Sequence, residues 1–334
     1  MTFTPLIELT RGGTTECVHF GAVAVVNLQG QLLASAGNPH WPTFSRSTLK
    51  AFQALPLVQS GSAKALGYSQ RQLAMLCASH NGEAMHVAEV SDMLDKAGVT
   101  YKQLQCGCHV PMFVEMGLGP APQQFDERHH NCSGKHAGFL GYCMQQGLSL
   151  DTHLAMDHPL QQAIRRDVAR VTGVAEADFK VGVDGCSAPN YALPLSALAL
   201  GYARLASGAQ DPEFGESFSL LADAMVAHPD LVSGTGRNDE AFMRVGAGDW
   251  VTKTGADGVQ VVGSRSRGQA LALKISDGNK TAQFAATVEV LDQLGWLDDA
   301  QRTALAPWRA ATLHNVKGTE VGARRPVFQL ERVA

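Results

Sequence analysis

The stretch Trp250-Val251-Thr252-Lys253-Thr254-Gly255-Ala256-Asp257-Gly258-Val259-Gln260-Val261-Val262 reads as a β-hairpin. Two runs rich in β-branched residues are joined through Asp257-Gly258, a pair suited to a turn that needs positive φ. Ala270-Leu271-Ala272-Leu273-Lys274-Ile275 extends the sheet. At the other end of the chain, Val23-Ala24-Val25-Val26 and Gln31-Leu32-Leu33-Ala34 flank Leu28-Gln29-Gly30 and predict a second hairpin over residues 19–35. Val327-Phe328-Gln329-Leu330 is a last candidate strand. Between these ends, apolar residues recur at helical spacing from Ser47 to Val58, Gln70 to Ala78, Val87 to Ala97, Lys135 to Gln145, His158 to Val171, Leu193 to Leu205 and Phe218 to His228. A final helix is predicted from Thr281 to Leu294. Strands at both termini around a helical middle predict an α+β fold. One antiparallel sheet would be built from residues 1–46 and 248–334, with a mainly helical lobe over 47–247, in a single discontinuous two-lobed unit.

A chain of 334 residues with 45% hydrophobic and 17% charged residues is long enough to bury a full core. Its net charge of -4 leaves no basic surplus for nucleic acid. No run approaches a membrane span, and Met1-Thr2-Phe3-Thr4-Pro5 lacks the cationic start of an export signal, so a cytoplasmic setting is expected. Seven cysteines are an odd number for a disulfide framework, and most are expected to be buried thiols.

The first hairpin carries Lys253-Thr254-Gly255, and two other short motifs precede it in order: Ser47-Thr48-Leu49-Lys50 and Ser79-His80-Asn81. In this order they resemble the S-x-x-K, S-x-N and K-T-G elements of serine amidohydrolases of the penicillin-binding and β-lactamase type. Ser47 and Lys50, three residues apart at a helix start, share one face, so an amine can take the hydroxyl's proton where the helix dipole favours negative charge. Lysine is almost wholly protonated at neutral pH, and a second cation such as Lys253 could help to change that. Ser79 would relay a proton between Lys253 and the leaving amine, and Asn81 would orient substrate. The plain readings are that Ser47 is a helix cap with an exposed Lys50, that Ser79 caps a helix, and that Lys253-Thr254-Gly255 is only a strand end.

Two further clusters are dense in zinc-type ligands: His129-His130-Asn131-Cys132-Ser133-Gly134-Lys135-His136 and Asp184-Gly185-Cys186-Ser187. Neither contains C-x-x-C. Cys106-Gly107-Cys108-His109 has no recognised spacing and is read as structural, and Gly234-Thr235-Gly236 as a flexible loop near the site rather than a phosphate loop.

Taken with Ser45-Arg46-Ser47-Thr48-Leu49-Lys50, Ala78-Ser79-His80-Asn81, Val183-Asp184-Gly185-Cys186 and Lys253-Thr254-Gly255, these segments resemble the Rhizobium etli-type L-asparaginases over nearly the whole chain. The resemblance implies a fold related to serine β-lactamases and glutaminases, a homodimer, and hydrolysis of L-asparagine to L-aspartate and ammonia. It implies two serine-lysine pairs, Ser47 with Lys50 and Ser79 with Lys253, and a zinc ion held by Cys132, Lys135 and Cys186, with Asp184 and a water nearby. Zinc would position substrate or loops while a serine remains the nucleophile. Around these, Arg46, His80, Asn81, Asn131, His136, Asp184, Thr254 and Gly255 are candidates for substrate binding. Glutaminase, β-lactamase or D,D-peptidase activity, and a non-enzymatic zinc-binding role, are the competing readings. Nothing in the chain points to nucleic acid or membrane.

Overall fold

The structure, a computed structural model, describes residues 3–333; Met1, Thr2 and Ala334, which begin and end the expected sheet lobe and include the first two residues read for an export signal, lie outside them. In chain order the strands are β1 (Thr4–Arg11), β2 (Thr14–Asn27), β3 (Leu32–Ala36), β4 (Pro42–Phe44), β5 (Lys180–Val183), β6 (Pro189–Pro194), β7 (Trp250–Gly255), β8 (Val259–Ser264), β9 (Gln269–Ile275), β10 (Ala311–His314), β11 (Glu320–Pro326) and β12 (Glu331–Arg332). Nine of them form one sheet in the order β10-β11-β1-β2-β9-β8-β7, with β3 paired to β2 and β12 to β3. Its pairings are antiparallel, and the fold is α+β, as the alternation of strand-rich ends and helical middle predicts.

The central strands are apolar without alternation because both faces of the sheet are covered. Ala22, Ala24 and Val26 of β2 join the large core beneath the helical middle, while Val23 and Val25 join a second core with Leu271, Leu273 and the C-terminal helices. Helix Leu195–Ser207 packs on β2, β8 and β9, and helix Lys280–Gln293 on β1, β8, β9 and β11. The β7–β8 turn spans Ala256-Asp257-Gly258, with φ of 58° at Asp257 and 81° at Gly258, conformations that Asp and Gly tolerate best.

Three expectations need correction. The strand predicted at Val327–Leu330 is not one: β11 ends at Pro326, and the Gln293 side chain bonds Phe328 O and Leu330 N in place of a neighbouring strand. The Ser47–Val58 helix is broken into a 3-10 turn, Arg46–Leu49, and two short helices, Lys50–Gln53 and Leu55–Gln59. Not all of residues 1–46 join the main sheet: β4 pairs with β6, which pairs with β5, in a separate three-stranded sheet whose other two strands come from the mainly helical middle. Among the described residues, no helix is long and apolar enough to cross a membrane.

Candidate active site

Arg46 adopts φ 52°, a left-handed conformation that costs a non-glycine residue about 1–3 kcal/mol unless its surroundings impose it. Asn190 of β6 imposes it here: its carbonyl accepts from Arg46 N–H at 3.0 Å and its amide donates to Arg46 O at 3.2 Å. The clamped turn delivers Ser47 to a cleft of about 440 Å³ whose lining includes Ser79, Asn131, Arg237, Thr254, Gly255 and Ala256. Met112, Met116, Phe284 and Trp308 form its apolar part. Among the described residues Ser47 Oγ has no hydrogen-bond partner, and neither do the Ser47 and Ala256 N–H groups.

Lys50 projects from the helix below. Its buried Nζ donates to Ser79 Oγ at 2.8 Å, to Ala78 O, and to Asn131 O at 3.4 Å. Ser79 is fixed in turn by its N–H, which donates to Val232 O at 2.8 Å. The serine-lysine pairing thus differs from the expected one. Ser79 is bonded to Lys50, not Lys253, because the loop after helix Gln70–Leu76 turns its hydroxyl onto the first helix.

Lys253 pairs instead with Asp239, a wholly buried carboxylate 3.4 Å away. Asp239 also accepts from Thr254 N–H at 2.8 Å, Gln260 Nε2 at 2.9 Å, Asn238 Nδ2 at 3.2 Å and Thr252 Oγ1 at 3.3 Å. Burial, together with the neighbouring cations Lys50 and Arg237, pushes Lys253 down to about 8 against the pull of Asp239. Two nearby lysines and a buried carboxylate behind a free hydroxyl are the parts of an acyl-transfer site.

The chain matches the L-asparaginase II family over residues 7–326. It belongs to that family. Asparagine hydrolysis is the activity the family carries, so this L-asparaginase II family member is an amidohydrolase acting on a small substrate. No curated protein matches the chain.

Asn131, Thr254 and Gly255 line the cleft of this family member. Arg46 and Asp184 do not line it: Arg46 Nε donates to Asp184 Oδ1 at 2.8 Å and its Nη1 to Asp257, tying the Asp184 loop to the β7–β8 turn. His80 and Asn81 are wholly buried and serve the loops instead. His80 Nδ1 accepts from Gly82 N–H at 3.0 Å, so Nε2 carries the proton and donates to Ser133 Oγ at 2.9 Å. Burial holds its pKa well below the usual histidine value. Asn81 receives Arg237 Nη1 at 3.1 Å and donates to Thr235 O at 3.1 Å. The Gly234–Arg237 loop is therefore stapled. Glu83 holds it further through Thr235 N–H and Oγ1, both at 2.9 Å. His109 Nε2 accepts from Asn131 N–H at 3.3 Å.

Cys132 and Lys135 open helix Ser133–Gln146 and meet Cys186, with Lys135 Nζ 3.0 Å from Cys186 Sγ. The Cys132 thiol and the Lys135 cation beside it lower Cys186 far below the usual thiol range against the opposing effect of burial. The same contact pushes Cys132 up, and Lys135 is raised by Cys186 against its burial. Among the described residues no group of three or more His, Cys, Asp and Glu side chains is arranged to hold a metal; this cluster has two such side chains plus a lysine. His136 lies wholly buried with neither ring nitrogen hydrogen-bonded, and burial pushes it down to about 4. It does not line the cleft. Two converging sulfurs, an amine and orphaned nitrogens next to them fit a soft divalent ion.

Proposed function

We propose that the protein is an L-asparaginase of the Rhizobium etli type, hydrolysing L-asparagine through an acyl-enzyme on Ser47. The observation that carries this reading is the asymmetry of the two serines. Ser79 Oγ is held by Lys50 at 2.8 Å, whereas Ser47 Oγ is unpartnered in the cleft on a clamped turn. Ser47 Oγ attacks the side-chain amide carbon, and its proton passes to the Lys50 amine. The Ser47 and Ala256 N–H groups face the oxyanion, a service worth about 3–4 kcal/mol per donor in comparable sites. As the C–N bond breaks, Ser79 gives its proton to the departing nitrogen and takes one back from Lys50, so ammonia leaves and the relay is reset. Water then attacks the ester with the same groups working in reverse, releasing aspartate. The Lys253 ammonium, anchored on Asp239, supplies positive charge behind the developing oxyanion.

A zinc ion would be held by Cys132, Lys135 and Cys186, as the resemblance implies. It would replace protons on the lysine and thiols and lock the loop after Val183 to helix Ser133–Gln146. A homodimer and a cytoplasmic setting belong to the same reading. The test is ammonia release from asparagine, glutamine and a β-lactam side by side, each with and without chelator. Asparagine turned over well above the others supports the reading; a β-lactam or glutamine as the best substrate overturns it.

A further inference from the structure

Arg237 sits beside the relay serine, yet nothing in the proposed reaction uses it. It lines the same cleft as Ser47 and Ser79. Its Nη1 donates to Ser79 O at 3.3 Å, to Asn81 Oδ1 at 3.1 Å and faces Met112 Sδ at 3.5 Å, all uncharged partners. Its Nε and Nη2 make no hydrogen bond among the described residues and are not sealed from solvent. The carboxylates that could neutralise it are occupied: Asp239 by Lys253 and four other donors, Glu83 by Thr235 and Asn81.

The guanidinium is also held in place. Arg237 N–H closes a turn onto Gly234 O at 3.3 Å, and Gly236 N–H donates to Glu240 Oε2 at 3.0 Å. Gly234, at φ 112°, packs so tightly on Asn81 that an added Cβ would lie 2.6 Å from its Cγ. Such fixing lowers the ordering cost of binding. Lys280 and Glu115, the other charges lining the cleft, are exposed and make no side-chain hydrogen bond among the described residues. A fork of two free N–H donors in a partly dry site suits a carboxylate.

We propose that Arg237 receives the α-carboxylate of the substrate, so that the cleft selects a free amino-acid amide over one whose carboxyl is esterified or in peptide linkage. This rests on the amidase reading above. The α-carboxylate and side-chain amide of asparagine are two carbons apart, and Arg237 touches the backbone of Ser79. A carboxylate seated on it would present the amide beside both serines.

The experiment compares kcat/KM for ammonia release from L-asparagine and from its α-methyl ester, in the wild type, Arg237→Gln and Arg237→Lys. A charge-assisted contact of this kind predicts a wild-type preference for the free acid of about 10- to 150-fold. Arg237→Gln should lose that factor on asparagine and change less than about threefold on the ester, and Arg237→Lys should fall between. Equal losses on both substrates would mark a merely structural role and overturn the proposal. So would a wild type that does not distinguish acid from ester, a result readable even if a variant fails to fold. Absence of ammonia from asparagine with the wild type would overturn the amidase reading, and the proposal with it.

Discussion

Asp239→Asn removes one charge from the floor of the site and keeps its shape. The lost carboxylate lies 3.4 Å from Lys253 Nζ, a Coulomb energy of about 5 kcal/mol at an effective dielectric of about 20. Relaxation and the remaining amide dipole return part of it. About half, close to 2.5 kcal/mol or two pH units, should survive. The carboxylate favours the ammonium form, so its removal lowers the pH at which Lys253 loses its proton, from about 8 in the native protein. In the proposed mechanism activity requires that ammonium. The wild-type kcat/KM should therefore fall as pH rises through about 8, and the variant's fall should come about two units lower, making a loss near tenfold at pH 7 and little loss at more acid pH. Gln260 and Asn238 also lose an acceptor, which costs about 1–3 kcal/mol of stability. That cost appears in the Tm at every pH and does not mimic a moved limb. The assay is a pH profile of ammonia release. A folded variant whose alkaline limb stays put or moves upward refutes the role given to the Lys253–Asp239 pair.

Gly234→Ala should raise KM for asparagine and lower the Tm, because a Cβ meets Asn81 Cγ at 2.6 Å in a left-handed backbone, a strain of about 1–3 kcal/mol. Gly248→Ala, with positive φ but open space around it, should leave KM alone. Stability should decline on acidification below about pH 6.5, since burial depresses both His80 and His86 in the fold. The unfolded chain then binds more protons, so each histidine removes about 1.4 kcal/mol per pH unit until its folded pKa is reached. Chemical denaturation across this range checks the slope, and a flat profile counts against two buried neutral histidines. Zinc added to metal-free protein should raise the Tm and release protons, and Cys186→Ser should lose both responses. An unmoved Tm would remove zinc from the account.

Much of the fold was legible because the signals are local. The Asp257-Gly258 turn and the β-branched runs beside it specify a hairpin without help from the rest of the chain, and helices such as Ser133–Gln146 and Pro159–Thr172 show their periodicity directly. The small β4-β6-β5 sheet was not legible, since Pro42–Phe44 becomes a strand only when Ala192–Pro194, far away in sequence, supplies its hydrogen bonds; strand β1 was passed over although it pairs with the adjacent β2 through the Gly12-Gly13 turn. The same division holds at the site. Ser47, Ser79 and Lys253 stand in spaced motifs, but which lysine meets Ser79 depends on how two loops dock. Asp239 and Arg237 belong to no motif, and a polar run before helix Asn238–Val245 looks like any helix start. Their roles follow only from the closed space around them. The loop bonds of His80 and Asn81 were not legible for the converse reason: polar residues inside a motif can brace a loop as readily as touch a substrate.

The nucleophile itself can be caught. Acid-quenched wild-type protein mixed with asparagine during turnover should gain the mass of aspartate less water. Peptide mapping should place that mass on the peptide carrying Ser47, and Ser47→Ala should gain nothing and turn over nothing. An adduct on the Ser79 peptide of the wild type, or turnover by folded Ser47→Ala, would contradict the assignment of Ser47 as the nucleophile.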